Sequence, residues 1–117
     1  MKISESLKKK EQFRLVYEQG VSYADRFIVM YVLKNGLTKN RLGISISKKV
    51  GNSVVRHHFA RLVRENYRLN EGNYCIGCDI VIIARMPSKK ADFHMIGHSM
   101  KKLAKTHGIW ESRDDEK

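Results

Sequence analysis

The sequence has little of several residue types, and each scarcity excludes a class of protein. Its 117 residues include one proline and two cysteines, which argues against a proline-rich linker or a disulfide-stapled secreted domain. The longest unbroken apolar run, Phe27 to Leu33, has seven residues, whereas a membrane-spanning helix needs about twenty. The N-terminal residues lack the apolar segment of a secretory signal. We therefore expect one globular, cytoplasmic domain.

Acidic residues are also scarce. Twelve Asp and Glu face 23 Lys and Arg, for a formal net charge of +11. Nine basic residues and no acid lie between Arg26 and Arg64. A compact domain repels itself at such a charge, so the charge predicts a polyanionic partner. RNA, DNA and an anionic membrane surface are the candidates, and we favour nucleic acid over a membrane.

The few acids are unevenly placed. Four of the twelve fall in the last seven residues: Glu111, Asp114, Asp115 and Glu116. We therefore expect a single RNA-binding domain over residues 1–110 and an acidic, disordered tail over 111–117.

Hydrophobic spacing predicts an alternation of helices and strands. The predicted elements are a helix over 7–19 that stops at Gly20, a short strand over 21–23, strands over 26–33 and 41–47, a helix from about 51 to 68, a strand over 79–84 and a helix over 92–105. This order predicts an α+β sandwich, a small sheet with helices packed on it.

Two of the strands have informative faces. The strand over 26–33 is apolar on both faces, which indicates that both are covered or that one awaits a ligand. We expect Phe27 and Tyr31 to share one face. In the strand over 41–47, one face carries the apolar residues Leu42, Ile44 and Ile46. The other face carries Gly43 and Ser45. Small residues suit the close approach of a foreign backbone.

The helix over 51–68 separates apolar from basic residues. Its apolar residues cover half of the cylinder. The opposite side carries a cluster within about 60°, made of His57, Arg61, Arg64 and Arg68. The helix therefore buries one face and offers a cationic ridge on the other.

A cysteine and histidine pattern offers a competing interpretation. After Cys75 and Cys78, fifteen residues intervene before His94 and His98, which matches a zinc-finger spacing and would suggest a zinc-dependent DNA-binding domain. The six residues after Cys78, however, read as a buried strand that carries the chain away from the cysteines. We therefore expect no metal site and two reduced thiols.

Catalytic patterns are weak in this sequence. Ser, His and Asp occur without a placement that suggests a triad, and paired carboxylates are absent from the basic region. A protein-only nuclease would need acidic metal ligands there. We predict no catalytic residue, and this favours a protein that positions RNA and leaves the chemistry to a partner.

The segment over 41–68, RLGISISKKVGNSVVRHHFARLVRENYR, closely resembles the protein subunit of bacterial ribonuclease P. Two further stretches fit that family. Residues 7–20 resemble its first helix, with the aromatic pair Phe13 and Tyr17, and residues 79–87 resemble its last strand and the following turn. The resemblance extends to about Lys105.

The resemblance implies a fold and a function. The fold is a two-layer α+β sandwich in α-β-β-β-α-β-α order, with a left-handed crossover between parallel strands (ribosomal protein S5 domain 2-like). The function is that of a subunit in a ribonucleoprotein that cuts precursor tRNA to release its 5′ leader. The RNA partner is the catalyst and holds Mg²⁺, and the protein, expected to be monomeric, binds the catalytic RNA and the leader. A general RNA-binding module, for example ribosome-associated and without a processing role, remains the alternative.

The resemblance also implies two sets of binding residues. Those that contact phosphates of the catalytic RNA would be Lys48, Lys49, Arg56, His57, Arg61, Arg64 and Arg68. Those that line the leader cleft would be Phe13, Tyr17, Arg26, Val29, Tyr31 and Ser45. Arginine forks suit phosphate oxygens, and aromatic rings hold single-stranded RNA by stacking on its bases.

The basic helix departs from the family at one place. The family usually has Arg-Asn-Arg followed two residues later by Lys, whereas here Arg56 is followed by His57, His58 and then Ala60. Two formal positive charges are lost. Because histidine gains a proton in mildly acidic solution, we expect RNA affinity to rise as the pH falls from about 7.5 to 6.

Overall fold

A computed structural model describes residues 4–112 and has the predicted α+β architecture. The strands in this range are β1 (Ser4–Ser6), β2 (Val21–Ala24), β3 (Ile28–Lys34), β4 (Asn40–Ser45) and β5 (Cys78–Ala84). The helices in this range are α1 (Lys10–Gln19), α2 (Ser53–Asn70) and α3 (Phe93–His107). Short 3₁₀ turns, Glu71–Asn73 and Met86–Lys90, follow α2 and β5.

The described strands form one sheet in the order β1-β4-β5-β3-β2. β4 is parallel to both β1 and β5, and β3 is antiparallel to both β5 and β2. β5 is the central strand, as its continuous apolar run predicts. The helix α2 connects the parallel neighbours β4 and β5, in agreement with the expected crossover between parallel strands. No helix within residues 4–112 has both the length and the apolarity to cross a bilayer.

The strand β1 was not predicted from the sequence. Its Ser-Glu-Ser run has no hydrophobic alternation, and it is held instead by parallel pairing with β4 and by a 2.8 Å hydrogen bond between Ser4 Oγ and the Tyr67 hydroxyl. The predicted start of the first helix at Leu7 was also wrong. Leu7 is extended, donates its N–H to the carbonyl of Leu42 and is buried against the sheet, and α1 begins at Lys10.

The helices cover the two faces of the sheet unequally. α2 and α3 pack over one face, where the main core lies between the helices and the side chains of Met30, Ile80 and Ile82. On the other face, α1 places the fully buried Val16 in a smaller cluster with Val81. The predicted cover on both faces of β3 is therefore observed, but the α1 face is only partly closed.

One side chain near β3 differs from its predicted position. Phe27 was expected on the same face as Tyr31, but it packs against the main core under α2 and α3. It precedes the first residue of β3, so strand alternation does not determine its direction.

The ends of α2 and α3 are fixed by local hydrogen bonds. Asn52 accepts from the N–H of Val55 at the start of α2, and Asp92 accepts from the N–H of Met95 at the start of α3. Beyond α3, the backbone N–H of Glu111 donates to the carbonyl of Asn73. The rest of the predicted tail, residues 113–117, lies outside the described range.

Candidate nucleic-acid interface

The predicted cationic ridge forms on the outer side of α2. It consists of four exposed residues spaced by four, three and four positions, namely His57, Arg61, Arg64 and Arg68. The opposite side of the helix carries Phe59, Val63 and Tyr67 into the core. Burial of that side fixes the rotation of α2, so the ridge must face solvent.

The cations of the ridge differ in how far they are already paired. Arg68 donates to Glu65 at 2.8 Å, and this hydrogen bond holds the pKa of Glu65 below its ordinary value. Arg61 and Arg64 form no ion pair with an acid in residues 4–112. Two guanidinium groups are therefore available to bind phosphate oxygens without first breaking a salt bridge.

The remaining predicted phosphate contacts flank the start of α2. Lys48 and Lys49 are exposed in the turn that precedes the helix. Arg56 is half-buried, and its Nε donates to the carbonyl of Gly51 at 3.3 Å. Of the departures from the family pattern, His58 is exposed, whereas Ala60 is buried with 7% exposure.

A second surface lies on the opposite face of the sheet, beside α1. Two rows of paired residues cross the strands there. The first row joins Gly43, Val81 and Tyr31, and the second row joins Ser45, Ile83 and Val29. Tyr31 and all three residues of the second row are half-buried, so α1 leaves this part of the sheet partly open.

Aromatic rings border this partly open part of the sheet. The Tyr17 ring meets the Tyr31 ring edge-on, with centroids 5.1 Å apart, and lies 6.3 Å from the Phe13 ring. Tyr17 is 38% exposed. We call this surface the aromatic groove, and its residues are Phe13, Tyr17, Val29, Tyr31, Ser45 and Ile83. It combines the exposed Tyr17, the half-buried rings of Phe13 and Tyr31 and a hydroxyl, a combination suited to single-stranded nucleic acid.

The structure brings together five of the six predicted cleft residues and separates the sixth. Arg26 precedes β3 in the chain, and its guanidinium carbon lies 5.7 Å from the centre of the Phe27 ring. It lines a different cavity of about 430 Å³ with Met86 and Lys89. Conversely, sequence reasoning missed Ile83. Its direction follows from alternation with Val81, but its place beside Val29 depends on the sheet order.

The candidate zinc ligands do not assemble into a site. Within residues 4–112, no group of three or more His, Cys, Asp or Glu side chains is placed to hold a metal ion. Cys78 is buried at the start of β5, and this burial raises the pKa of its thiol. His94 and His98 are exposed on α3, while Cys75 is half-buried. The zinc-finger spacing is therefore not matched by a zinc-finger geometry.

Comparison with known proteins gives one consistent result. A family model described as Ribonuclease P matches residues 1–108. The ribonuclease P protein component of Lachnoclostridium phytofermentans is 52% identical over 115 residues, which cover 98% of this chain and 99% of that protein. That of Caldanaerobacter subterraneus subsp. tengcongensis is 45% identical over 108 residues, which cover 92% and 93%.

Solved structures agree with the sequence comparisons. The ribonuclease P protein of Staphylococcus aureus superposes with a TM-score of 0.84 at 34% identity and covers 91% of this chain and 97% of its own. That of Thermotoga maritima gives 0.80 at 31% identity, with 86% and 96% covered.

Proposed function

The chain belongs to the ribonuclease P protein family, and from that premise we propose how it serves the ribonucleoprotein that processes tRNA. The cationic ridge on α2 binds the catalytic RNA, and the aromatic groove binds the 5′ leader of precursor tRNA. The RNA supplies the catalytic centre and holds Mg²⁺. The protein acts in the cytoplasm. It acts as a monomer, because its net charge of +11 opposes self-association.

The ridge supports the first assignment by its charge and its rigidity. Arg61 and Arg64 project from a helix whose other side is buried, so phosphate binding orders few additional groups. Each neutralised phosphate releases counterions, which gives an affinity that falls steeply with salt. Lys48 and Lys49, just before the helix, extend the same basic surface.

The groove supports the second assignment by its shape and its chemistry. Stacking of a base on an aromatic ring contributes about 1–3 kcal/mol, and the exposed Tyr17 lies edge-on against the half-buried Tyr31. The Ser45 hydroxyl, paired in register with Ile83, offers a hydrogen bond beside them. Stacking tolerates every base, as a subunit that meets many different leaders requires.

The groove and the ridge lie on opposite faces of the sheet, and this placement carries the proposal. A single strand on the α1 face and a folded RNA on the α2 face do not compete for the same space. Because the sheet between them is packed on both faces, it holds the two RNA surfaces in a fixed relation. The protein thereby positions the leader relative to the catalytic RNA.

A reconstitution experiment tests the proposal. The purified protein is mixed with a bacterial ribonuclease P RNA and a precursor tRNA at low Mg²⁺, and leader release is followed. We expect efficient cleavage only with both components, and weaker cleavage with Tyr31→Ala or Arg61→Ala. Tight binding to the RNA without any stimulation of cleavage would instead identify a general RNA-binding module.

A further inference from the structure

A small cleft lies at one edge of the sheet, where the end of β1 faces α2. Its volume is about 220 Å³. Residues from β1, the segment after it, β4 and α2 line it, namely Ser6, Leu7, Lys8, Leu42, Ile44 and Arg64. We call it the edge cleft. It joins one cation of the ridge to a part of the chain that neither the ridge nor the aromatic groove includes.

The packing of α2 turns Arg64 toward this cleft. The helix contacts α3 through Asn66, whose Nδ2 donates to the carbonyl of Phe93 at 3.1 Å. It contacts β1 through Tyr67, whose hydroxyl lies 2.8 Å from Ser4 Oγ. At about 100° per residue, Arg64 lies about 60° from Tyr67 around the helix axis and about 160° from Asn66. The ridge therefore faces away from α3 and borders β1, and Arg64 is its cation nearest to that strand.

The opposite wall of the cleft is held by hydrogen bonds and by burial. Leu7 is 5% exposed and donates its N–H to the carbonyl of Leu42 at 2.8 Å. The N–H of Lys8 donates to Gln12 Oε1 at 3.2 Å, which ties the backbone of this lysine to α1. Ser6 pairs in register with Leu42, so its side chain lies on the α2 face of the sheet. The cleft is therefore preformed, and this reduces the cost of ordering on binding.

The rim of the cleft is cationic. Within residues 4–112, neither Lys8 nor Arg64 forms an ion pair with an acid. The two acids three positions from Lys8 pair with other cations, Glu5 with Lys39 and Glu11 with Arg14. An ammonium and a guanidinium from distant parts of the chain thus line one concavity, and the Ser6 hydroxyl lies beside them.

The floor of the cleft is apolar. Leu42 is 4% exposed and Ile44 is half-buried. A free inorganic anion would use the cations but not this floor, and an apolar peptide would use the floor but not the cations. A sugar–phosphate unit uses both, because its ribose carbons can cover apolar atoms while its phosphate accepts from the ammonium and the guanidinium.

We propose that the edge cleft holds one sugar–phosphate unit of the catalytic RNA, with the phosphate between Lys8 and Arg64. This inference rests on the proposed function and extends the RNA-binding surface from the ridge onto β1 and the turn before α1. Continuity with the ridge favours the catalytic RNA over precursor tRNA as the occupant, since Arg64 belongs to both the ridge and the cleft.

A double-mutant cycle tests whether Lys8 and Arg64 bind the same phosphate. Affinity for a bacterial ribonuclease P RNA is measured at one salt concentration for the full-length wild type, Lys8→Gln, Arg64→Gln and the double variant. Each single substitution should weaken binding. The double variant should lose at least about threefold less affinity than the product of the two single losses, because residues that share one partner couple.

The control cycle replaces Lys8→Gln with Lys10→Gln. Lys10 is exposed two residues further along the chain and does not line the cleft. The losses from Lys10→Gln and Arg64→Gln should multiply to within about twofold, as expected for independent sites.

A further substitution fills the cleft without changing the charge. Ser6→Phe places a ring over the apolar floor, and phenylalanine is well suited to a strand. RNA affinity should fall at least as far as in Lys8→Gln. Thr38→Phe, at an exposed position between β3 and β4, adds the same bulk elsewhere and should not lower it. Thermal unfolding verifies that each variant is folded.

Several results would overturn the inference. If the losses from Lys8→Gln and Arg64→Gln multiply as they do in the control cycle, the two cations share no phosphate. Unchanged RNA affinity in a folded Ser6→Phe would leave the cleft empty in the complex. Normal affinity of the variants for the catalytic RNA, with weaker binding of precursor tRNA by the holoenzyme, would assign the cleft to the substrate. In each case the wild-type protein still stimulates cleavage, whereas failure of the proposed function abolishes that stimulation.

Discussion

The ring of Phe13 on α1 lies directly against the backbone of Gly43 on β4. A Cβ at residue 43 would come 2.8 Å from the ring atoms Cε1 and Cζ and 3.1 Å from Leu7 Cβ. Because residue 43 has no side chain, the Phe13 ring can pack between α1 and the sheet. The same contact fixes the distance of the ring from the sheet at the edge of the aromatic groove.

Replacing Gly43 with Ala should displace this ring and alter the groove. Overpacking of this kind costs about 1–3 kcal/mol, so the free energy of unfolding in urea should fall by that amount. The affinity for precursor tRNA should fall more than that for mature tRNA. Gly72→Ala is the control, because nothing lies within 4 Å of the added methyl group. An unchanged preference for precursor tRNA would show that the Phe13 position does not matter for the leader.

Two exposed tyrosines on opposite faces of the sheet provide a matched test of stacking. Tyr17 lies in the aromatic groove, whereas Tyr23 on β2 stacks edge-on against His107. Tyr17→Ala should weaken binding to a precursor tRNA by about 1–3 kcal/mol, the contribution of one stacked base. Tyr23→Ala should leave that affinity within about twofold, well below the loss of one stacked base. Equal losses from both variants, measured with the holoenzyme, would argue against a leader in the groove.

The ion pair between Glu65 and Arg68 should limit RNA binding. The carboxylate accepts from Arg68 and adds a negative charge beside Arg61 on the same helix. Glu65→Gln frees the guanidinium and should raise affinity for the catalytic RNA about two- to fivefold, which corresponds to an exposed pair of up to about 1 kcal/mol. Glu18→Gln, which removes one of the two carboxylates that pair with Arg14 on α1, is the control for the change in net charge. A gain of the same size in the control would point to net charge alone.

His107 should make folding stability depend on pH. Its Nε2 lies 2.9 Å from the carbonyl oxygen of Met30, and burial lowers the pKa of the imidazole. The unfolded chain, in which histidine titrates near pH 6.5, therefore binds the proton more readily than the folded protein. The free energy of unfolding should fall as the pH drops from about 7.5 to 5.5.

The measurement for His107 compares urea unfolding of the wild-type protein and His107→Gln across that pH range. The substitution should flatten the dependence, because glutamine carries no titrating group. His94→Gln, at an exposed position on the same helix, should retain the wild-type slope. If the His107 variant also retains that slope, the buried imidazole does not control acid sensitivity.

His57 should make RNA affinity depend on pH in the opposite direction. It is exposed on the ridge with Arg61 and Arg64, so a proton on its ring adds a cation where phosphates bind. The affinity for the catalytic RNA should rise as the pH falls from about 7.5 to 6, and rise less in His57→Ala. Parallel curves for the two proteins, measured at one salt concentration, would contradict this role.

The features that the sequence predicts best are those in which the spacing of apolar residues along one helix or strand determines which side chains are buried and which are exposed. The spacing of Phe59 and Val63 predicts the core side of α2 and, by the same rotation, the ridge that carries Arg61 and Arg64. Alternation in β3 likewise places Val29 and Tyr31 on one face. These predictions need only the geometry of a single element.

The features that the sequence does not predict depend on contacts between distant segments. β1 exists because Ser4–Ser6 pairs with β4. The place of Ile83 in the groove follows from the order of β3, β4 and β5. The family resemblance implied a place for Arg26 in the cleft, but the chain turns before β3 begins, and Arg26 lines a different cavity. The histidines of α3 suggested a metal by their spacing to the cysteines, but within residues 4–112 these side chains do not come together in a group that could hold a metal ion.

The central position of β5 has a consequence for synthesis on the ribosome. In the sheet, β1 pairs with β4 and β2 pairs with β3, and only β5 joins these two pairs. Two-stranded pieces are marginally stable in water, so the nascent chain cannot complete its sheet until residues 78–84 have left the exit tunnel. Until then, the apolar faces of β3 and β4 lack their central partner. The emerging polypeptide is therefore most vulnerable to aggregation after β4 has left the tunnel and before β5 does, and its own positive charge then opposes association between neighbouring nascent chains.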